Sequence, residues 1–439
     1  MILSHMASFT SPGEYQKLLS ESTLLPGGFS LSTARIDFTP EERPTQEPYA
    51  MNLSLILADQ PTDAFAFMTT SNRVAGASVQ LARRRQEEPL FRGLLVNNRI
   101  ANVAVGQGLS DAEQLVSRLG EHLGVPPGQL LSVSTGIIGW WLPVENMNAA
   151  LGPLTSGLGG VGPLDVAKSI MTTDSYPKCR SIEVGEGRIT AIAKGAGMIE
   201  PNLATMLVFI LTDIDIGREA ARRVLSAAVE QSFNRISVDG DQSTSDMVAL
   251  VSSRQARGPG GRGAAGVSEE AFTEALIDIC SSLAEDIVRN GEGVAHVIRV
   301  TVDGALTEGE AGSFGKAVVN SPLVKTAIYG NDPNVGRILS SLGDYAGNAG
   351  IDLDTVKLEI RVGTEAVYHD GSFDLNRQRE AALSSYLQET AMNPRIKGFP
   401  QHDLAVEISV RMHRGRASAT VIGCDLTNEY IRENADYRS

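Results

Sequence analysis

A threonine beside a lysine and a glutamate is the arrangement in this chain best placed for nucleophilic chemistry. Thr205 opens onto a continuous apolar run, Met206 to Leu211, of strand length. Such a run is the pattern of a strand buried inside a sheet. The segment before it, Ala191-Ile-Ala-Lys-Gly-Ala-Gly-Met-Ile-Glu200, is rich in glycine, and Pro201 pushes Glu200 out of helical geometry. These residues predict a loop carrying Lys194 that leads into a buried strand beginning near Thr205. A hydroxyl, an ammonium group and a carboxylate would then meet at a sheet mouth. A threonine hydroxyl is a poor nucleophile until an adjacent base takes its proton. The same residues also have an ordinary reading, because β-branched threonine is common at strand starts.

Other motifs carry less. Gly157-Leu-Gly-Gly-Val-Gly162 fits the dinucleotide-binding string, but Asn146 to Leu151 before it lacks a strand pattern and Pro163 follows at once. Asp239 to Asp246 has the look of a calcium loop, yet Thr244 and Leu250 stand where glycine and glutamate are required. A turn network of carboxylates and hydroxyls is the reading there. The histidines show no metal-ligand spacing, and Cys179, Cys280 and Cys424 are too scattered for a zinc site or a disulfide framework. No metal is expected.

The elements that must position Thr205 are legible in outline. Ser110 and Glu113 have capping-box spacing ahead of Ala112, Leu115, Val116, Leu119 and Leu123 on one helical face. Further helices are predicted from about Arg218 to Glu230 and through Phe272, Ala275, Leu276, Ile279 and Leu283. Val356 to Val362 and Val406 to Met412 alternate with period two, and a turn at His413 to Arg416 leads to a strand over Ala417 to Cys424. The class is α+β, with sheets covered on one face by helices. The 439 residues, 42% of them hydrophobic, suit one large interlocked domain or two to three ordinary ones. A net charge of −14 argues against nucleic acid as a partner. With no run of about 18 apolar residues and no basic-then-apolar N-terminus, no membrane association and a cytoplasmic location are expected.

Lys194-Gly-Ala-Gly-Met-Ile-Glu-Pro-Asn-Leu-Ala-Thr-Met-Leu207 resembles the signature of the ornithine acetyltransferase family. These are bifunctional glutamate N-acetyltransferases with relatives in antibiotic pathways. Further similarity lies in Ser134 to Gly139, Ile170 to Asp174, Ser232 to Asp241, Gly291-Glu-Gly293, Asn320 to Ile328, Asp332-Pro-Asn334 and Gly423 to Thr427. The ordered matches run from about Asn72 to Ser439.

The resemblance implies a layered α/β/β/α sandwich and a precursor that cleaves itself between Ala204 and Thr205. Residues 1–204 would carry the oxyanion hole and substrate loop, and 205–439 would begin with the nucleophile, the two interlocked in one fold. Two copies of each fragment would form a heterotetramer. Thr205 would be the nucleophile, and its freed α-amine, of reference pKa about 7.7–8.0, would be the base. Thr135 and Gly136 would form the oxyanion hole. Thr172, Lys194, Thr205, Glu292, Asn434 and Ser439 would bind the amino-acid substrate, with Lys194 meeting a carboxylate and Glu292 an ammonium group. Acetyl would pass from N-acetylornithine to glutamate by a ping-pong route through acetyl-threonine, with no cofactor.

Several residues depart from the family pattern. Ile100 stands where asparagine is usual, Val335 where tryptophan is common, His296 where lysine is common, and Ser439 replaces threonine. Glu200 resembles the relative in the clavulanic acid cluster. Trp140 and Trp141, the only tryptophans, follow Gly139 closely and would either reshape the acyl pocket or pack the core. The alternatives are therefore an acyltransferase of a specialised pathway with another acyl donor or amine acceptor, or an amidase that passes the acyl group to water.

Overall fold

The computed structural model describes residues 9–44, 47–200, 206–255 and 266–435. Ala204, Thr205 and Ser439 lie outside them.

Leu207–Thr212 is buried along its whole length. Leu207, Phe209 and Leu211 enter one core, and Val208 and Ile210 enter another. A strand wet on neither face needs an apolar side chain at every position, which is why its sequence does not alternate. It is the middle strand of a five-stranded sheet in the order Phe65–Thr69, Met247–Ser252, Leu207–Thr212, Gly187–Lys194, Lys178–Val184. It runs parallel to Met247–Ser252 and antiparallel to Gly187–Lys194. Lys194, expected in a loop, is instead the last residue of its strand and pairs opposite Leu207. The small and apolar Ala191, Ile192 and Ala193 before it are buried and continue the ladder.

A four-stranded sheet, Phe29–Phe38, Tyr49–Thr62, Phe91–Asn97 and Leu130–Ser134, shares the first core with one face of the five-stranded sheet. Helices Ala77–Arg85, Gly108–Leu123, Val144–Ser156 and Pro163–Ser169 add their apolar sides to that core. The second core fills the other face, beneath Arg218–Gln231 and Glu269–Arg289. The fold is thus α+β with α/β/β/α layering. A six-stranded sheet built entirely after residue 296, with its own core, extends it.

Arg218–Gln231 and Glu269–Arg289 fall where their apolar stripes predict, the second capped by Ser268, whose Oγ accepts from Ala271 N–H at 3.1 Å. The expected capping box at Ser110 is not formed. The helix starts at Gly108, and the Ser110 hydroxyl donates to the Gln107 carbonyl at 2.8 Å. The predicted strand over Val356 to Val362 shrinks to Glu359–Val362, because Asp354 draws Val356 N–H into a turn at 3.2 Å. Asn146 to Leu151 belongs to helix Val144–Ser156, so the glycine string after it follows a helix and not a strand. No helix among the described residues is long and apolar enough to cross a membrane.

Candidate active site

The strand Leu130–Ser134 delivers Thr135 and Gly136 to the edge of a cavity of about 450 Å³. Thr135 N–H is already committed to the Asn97 carbonyl at 3.1 Å. Its contribution to any oxyanion must therefore come from the side-chain hydroxyl, which Lys194 Nζ approaches to 3.3 Å. Gly136 N–H has no partner among the described residues and is the free backbone donor of the pair. Gly136 sits at φ +133°, and a Cβ there would lie 2.1 Å from the Arg99 carbonyl carbon. Only glycine lets the two loops approach this closely. Ile137 N–H then donates to Arg99 O at 2.8 Å, and Ala101 N–H to Ile137 O at 2.9 Å, which fixes the turn.

The cavity also carries an acid. Glu292 is 6% exposed, and its backbone N–H is held by Ala196 O at 3.0 Å. Its carboxylate accepts from Asn434 Nδ2 at 2.8 Å, and Asn434 projects from the helix Asn428–Ala435. Burial pushes the Glu292 carboxyl above its ordinary value, and hydrogen bonds from Thr173 and Asn434 only partly oppose it. A carboxylate kept short of water in this way gains strongly from an incoming ammonium group.

A buried network ties these segments together. Asp174 accepts from Thr172 N–H at 3.1 Å and from Gly195 N–H at 2.7 Å. Lys178 Nζ donates to Asp174 at 2.6 Å and to Asn290 Oδ1 at 2.6 Å. Burial alone would raise the Asp174 carboxyl, but the charges of Lys178 and Lys194 and its hydrogen bonds outweigh it and hold the group well below the carboxylate range. One carboxylate thereby ties together the Thr172 turn and the Lys194 strand end, and its lysine reaches the segment before Glu292.

The cavity brings together Thr135, Gly136, Thr172, Lys194, Glu292 and Asn434, which are dispersed over the chain. Met206, the residue after Thr205, lines it as well, with its carbonyl accepting from Met247 N–H at 3.0 Å. The ArgJ family model matches residues 43–439. The chain is 34% identical over 440 residues to the arginine biosynthesis bifunctional protein ArgJ of Rhodococcoides fascians, covering 99% of this chain and 100% of that one. It is 39% identical over 384 residues to the ArgJ protein of Methylococcus capsulatus, covering 86% and 88%. It is 35% identical over 421 residues to the glutamate N-acetyltransferase Oat2 of Streptomyces clavuligerus, covering 95% and 100%. This chain belongs to the ArgJ family. It is an enzyme of the ornithine acetyltransferase type.

One feature of this ArgJ-family chain escaped the sequence reading. Ser243, Ser245 and Asp246 also line the cavity. Their signal was the hydroxyl-rich run just before the buried strand Met247–Ser252. In parallel strands equivalent ends adjoin, and Leu207 pairs with Met247. The preceding Asp239 is part of the turn network expected there, accepting from Met198 N–H at 2.6 Å and Ile199 N–H at 2.7 Å. The tryptophans also divide. Trp140 is buried edge-on against Tyr49, with ring centroids 5.6 Å apart, whereas Trp141 is exposed and does not border this cavity.

Proposed function

We propose that this chain is a self-processing acyltransferase that moves acetyl from N-acetylornithine to glutamate through an acetyl-threonine, in the service of arginine biosynthesis. The observation that carries this reading is one cavity lined by Lys194, Glu292, Gly136 with its N–H free among the described residues, and Met206. A substrate bearing one carboxylate and one ammonium group fits such a pair of charges.

In this reading the bond between Ala204 and Thr205 breaks and leaves Thr205 with a primary amine. An amide nitrogen cannot act as a base, so the uncut chain is dormant. The α-amine, with a reference pKa of about 7.7–8.0, takes the proton of its own hydroxyl near neutral pH. The Thr205 oxygen attacks the acetyl carbonyl, and the oxyanion is met by Gly136 N–H and the Thr135 hydroxyl. Loss of one such donor costs about 3–4 kcal/mol of barrier. The carbon–nitrogen bond breaks, the proton passes to the departing ornithine amine, and an acetyl ester remains. Glutamate enters the same cavity, its amine attacks the ester, and Thr205 regains its proton. The cycle as written uses only the amino-acid substrates and groups of the chain, with Thr172, Asn434 and Ser439 completing the substrate contacts. Two copies of each fragment assemble as a heterotetramer, and no nucleic acid or membrane takes part.

Intact mass under denaturing conditions tests the reading. Fragments 1–204 and 205–439 are expected from the active protein, and Thr205→Ala should remain whole and lose at least 1,000-fold in rate, about 4 kcal/mol. An uncut chain that turns over normally, or release of ornithine over many turnovers without glutamate, beyond the one equivalent that loads Thr205, contradicts it.

A further inference from the structure

A second cavity of about 450 Å³ adjoins the first, and the two share the wall formed by Gly136, Ile137, Thr172 and Thr173. Its remaining border includes Tyr49 and Trp140, whose edge-on rings give it an apolar side. Its charged residues are Arg99, Lys397, Glu433 and Asp174. Lys397 is bound to Glu433 at 2.7 Å, and Asp174 to Lys178 at 2.6 Å. Arg99 has no carboxylate within ion-pair distance among the described residues, and its Nε contacts only the Ala50 carbonyl at 3.3 Å. Among the described residues, one cation is therefore left over on this border.

The backbone at Arg99 is unusual as well. It sits at φ 73°, in the left-handed region, although it is not glycine. Such a residue is strained and persists where its surroundings dictate it. Here the surroundings are the close approach of Gly136 to the Arg99 backbone and the bond from Ile137 N–H to Arg99 O. Arg99 is thus fastened to Ile137, the residue that follows the proposed oxyanion donor Gly136.

We infer that the second cavity is an acyl subsite for chains longer than acetyl that end in a carboxylate, such as succinyl or glutaryl, with Arg99 as the counter-ion. The inference rests on the acyl transfer proposed above. An acyl carbonyl held at Gly136 N–H stands on the shared wall. With the amino-acid part on the side of Lys194 and Glu292, the rest of the acyl chain has the second cavity to enter. Trp140 and Tyr49 flank its methylene groups, and the terminal carboxylate meets Arg99. The chemistry is unchanged: the same carbon–nitrogen bond breaks, the same ester forms on Thr205, and the proton leaves with ornithine.

The test compares kcat/KM of the mature enzyme for N-acetyl-, N-butyryl-, N-succinyl- and N-glutarylornithine, with glutamate as acceptor. Succinyl or glutaryl should be transferred at least tenfold better than butyryl, a chain of similar length without the charge. Arg99→Met should bring that ratio close to one, and Arg99→Lys should retain part of it. Should Arg99→Met not fold, inhibition of the unaltered enzyme decides: glutaric acid monoamide should inhibit acetylornithine turnover at least tenfold more strongly than butyramide. Transfer of acetyl but of no longer chain, equal rates for butyryl and succinyl, or a ratio unchanged in Arg99→Met each overturns the subsite alone. Failure to move acetyl from acetylornithine to glutamate overturns the subsite together with the proposed function.

Discussion

Lys194 and Glu292 face one cavity with opposite charges, and each can be assigned a different half of an amino acid. Lys194→Met should raise KM for N-acetylornithine by ten- to a hundredfold while kcat falls less. A hydrogen bond to a charged group is worth about 1.5–3 kcal/mol, and loss of binding shared by ground and transition states appears in KM. Steady-state kinetics with saturating glutamate checks the split. Glu292 has a second consequence. Folding raises its carboxyl above the ordinary value of 4.5, with burial the leading cause. Above the folded value the ionised group therefore opposes folding, and this opposition fades as pH falls through that value towards 4.5. Glu292→Gln should accordingly melt higher than the unaltered protein at pH 8, with the gap closing by pH 4, while it binds acetylornithine more weakly. Melting curves at the two pH values, set beside KM, check both halves. A gap that widens on acidification would contradict the assignment.

At the scale of elements, the Asp174–Lys178 pair sets the relation between three loops. Removing one partner of a buried pair leaves a stranded charge, at about 3–5 kcal/mol, whereas replacing both by apolar groups is often neutral. Asp174→Ala should lower stability by that amount, and Lys178→Met in the same chain should restore most of it. Activity should remain low in the double variant, because Thr172 N–H and Gly195 N–H would still lack their acceptor. Denaturant midpoints beside kcat/KM separate the two effects. This pair also shows where sequence reading stops. Lys194 could be named from the glycine-rich segment that leads into a buried strand, whereas Thr135 and Glu292 were named only through the family resemblance. Asp174 and Lys178 were legible only as opposite charges four residues apart, a spacing equally common on wet surfaces, and their burial is a tertiary fact. The same divide runs through the elements. Arg218–Gln231 and Val406–Arg411 declare themselves by period. Lys194 passed as loop because glycines follow it, although its strand is completed by pairing with Leu207.

At the scale of the whole molecule, the strands that come before and after position 205 in the chain decide what a cut there would do. The strands Phe65–Thr69, Lys178–Val184 and Gly187–Lys194 precede it, and Leu207–Thr212 and Met247–Ser252 follow it. All five belong to one sheet, and the pairings of Leu207–Thr212 with Gly187–Lys194 and of Phe65–Thr69 with Met247–Ser252 both join residues from opposite sides of Thr205. The first core likewise mixes Leu207, Phe209 and Met247 with Leu55, Leu95 and Val133. Neither side could withdraw without exposing a buried strand to water on both faces and leaving its ladder unpaired. Cleavage at Ala204–Thr205 should therefore leave the fragments travelling together at every dilution that keeps the protein folded. They should separate only in the unfolding transition itself. Size exclusion under native conditions, followed by a denaturing gel of the same peak, checks this: both fragments are expected in one peak at equal stoichiometry, with a single melting transition. Fragments that part in native buffer, or that melt at separate temperatures, would mean that the two sides of Thr205 are independent units joined by a linker, and the sheet described here rules that arrangement out.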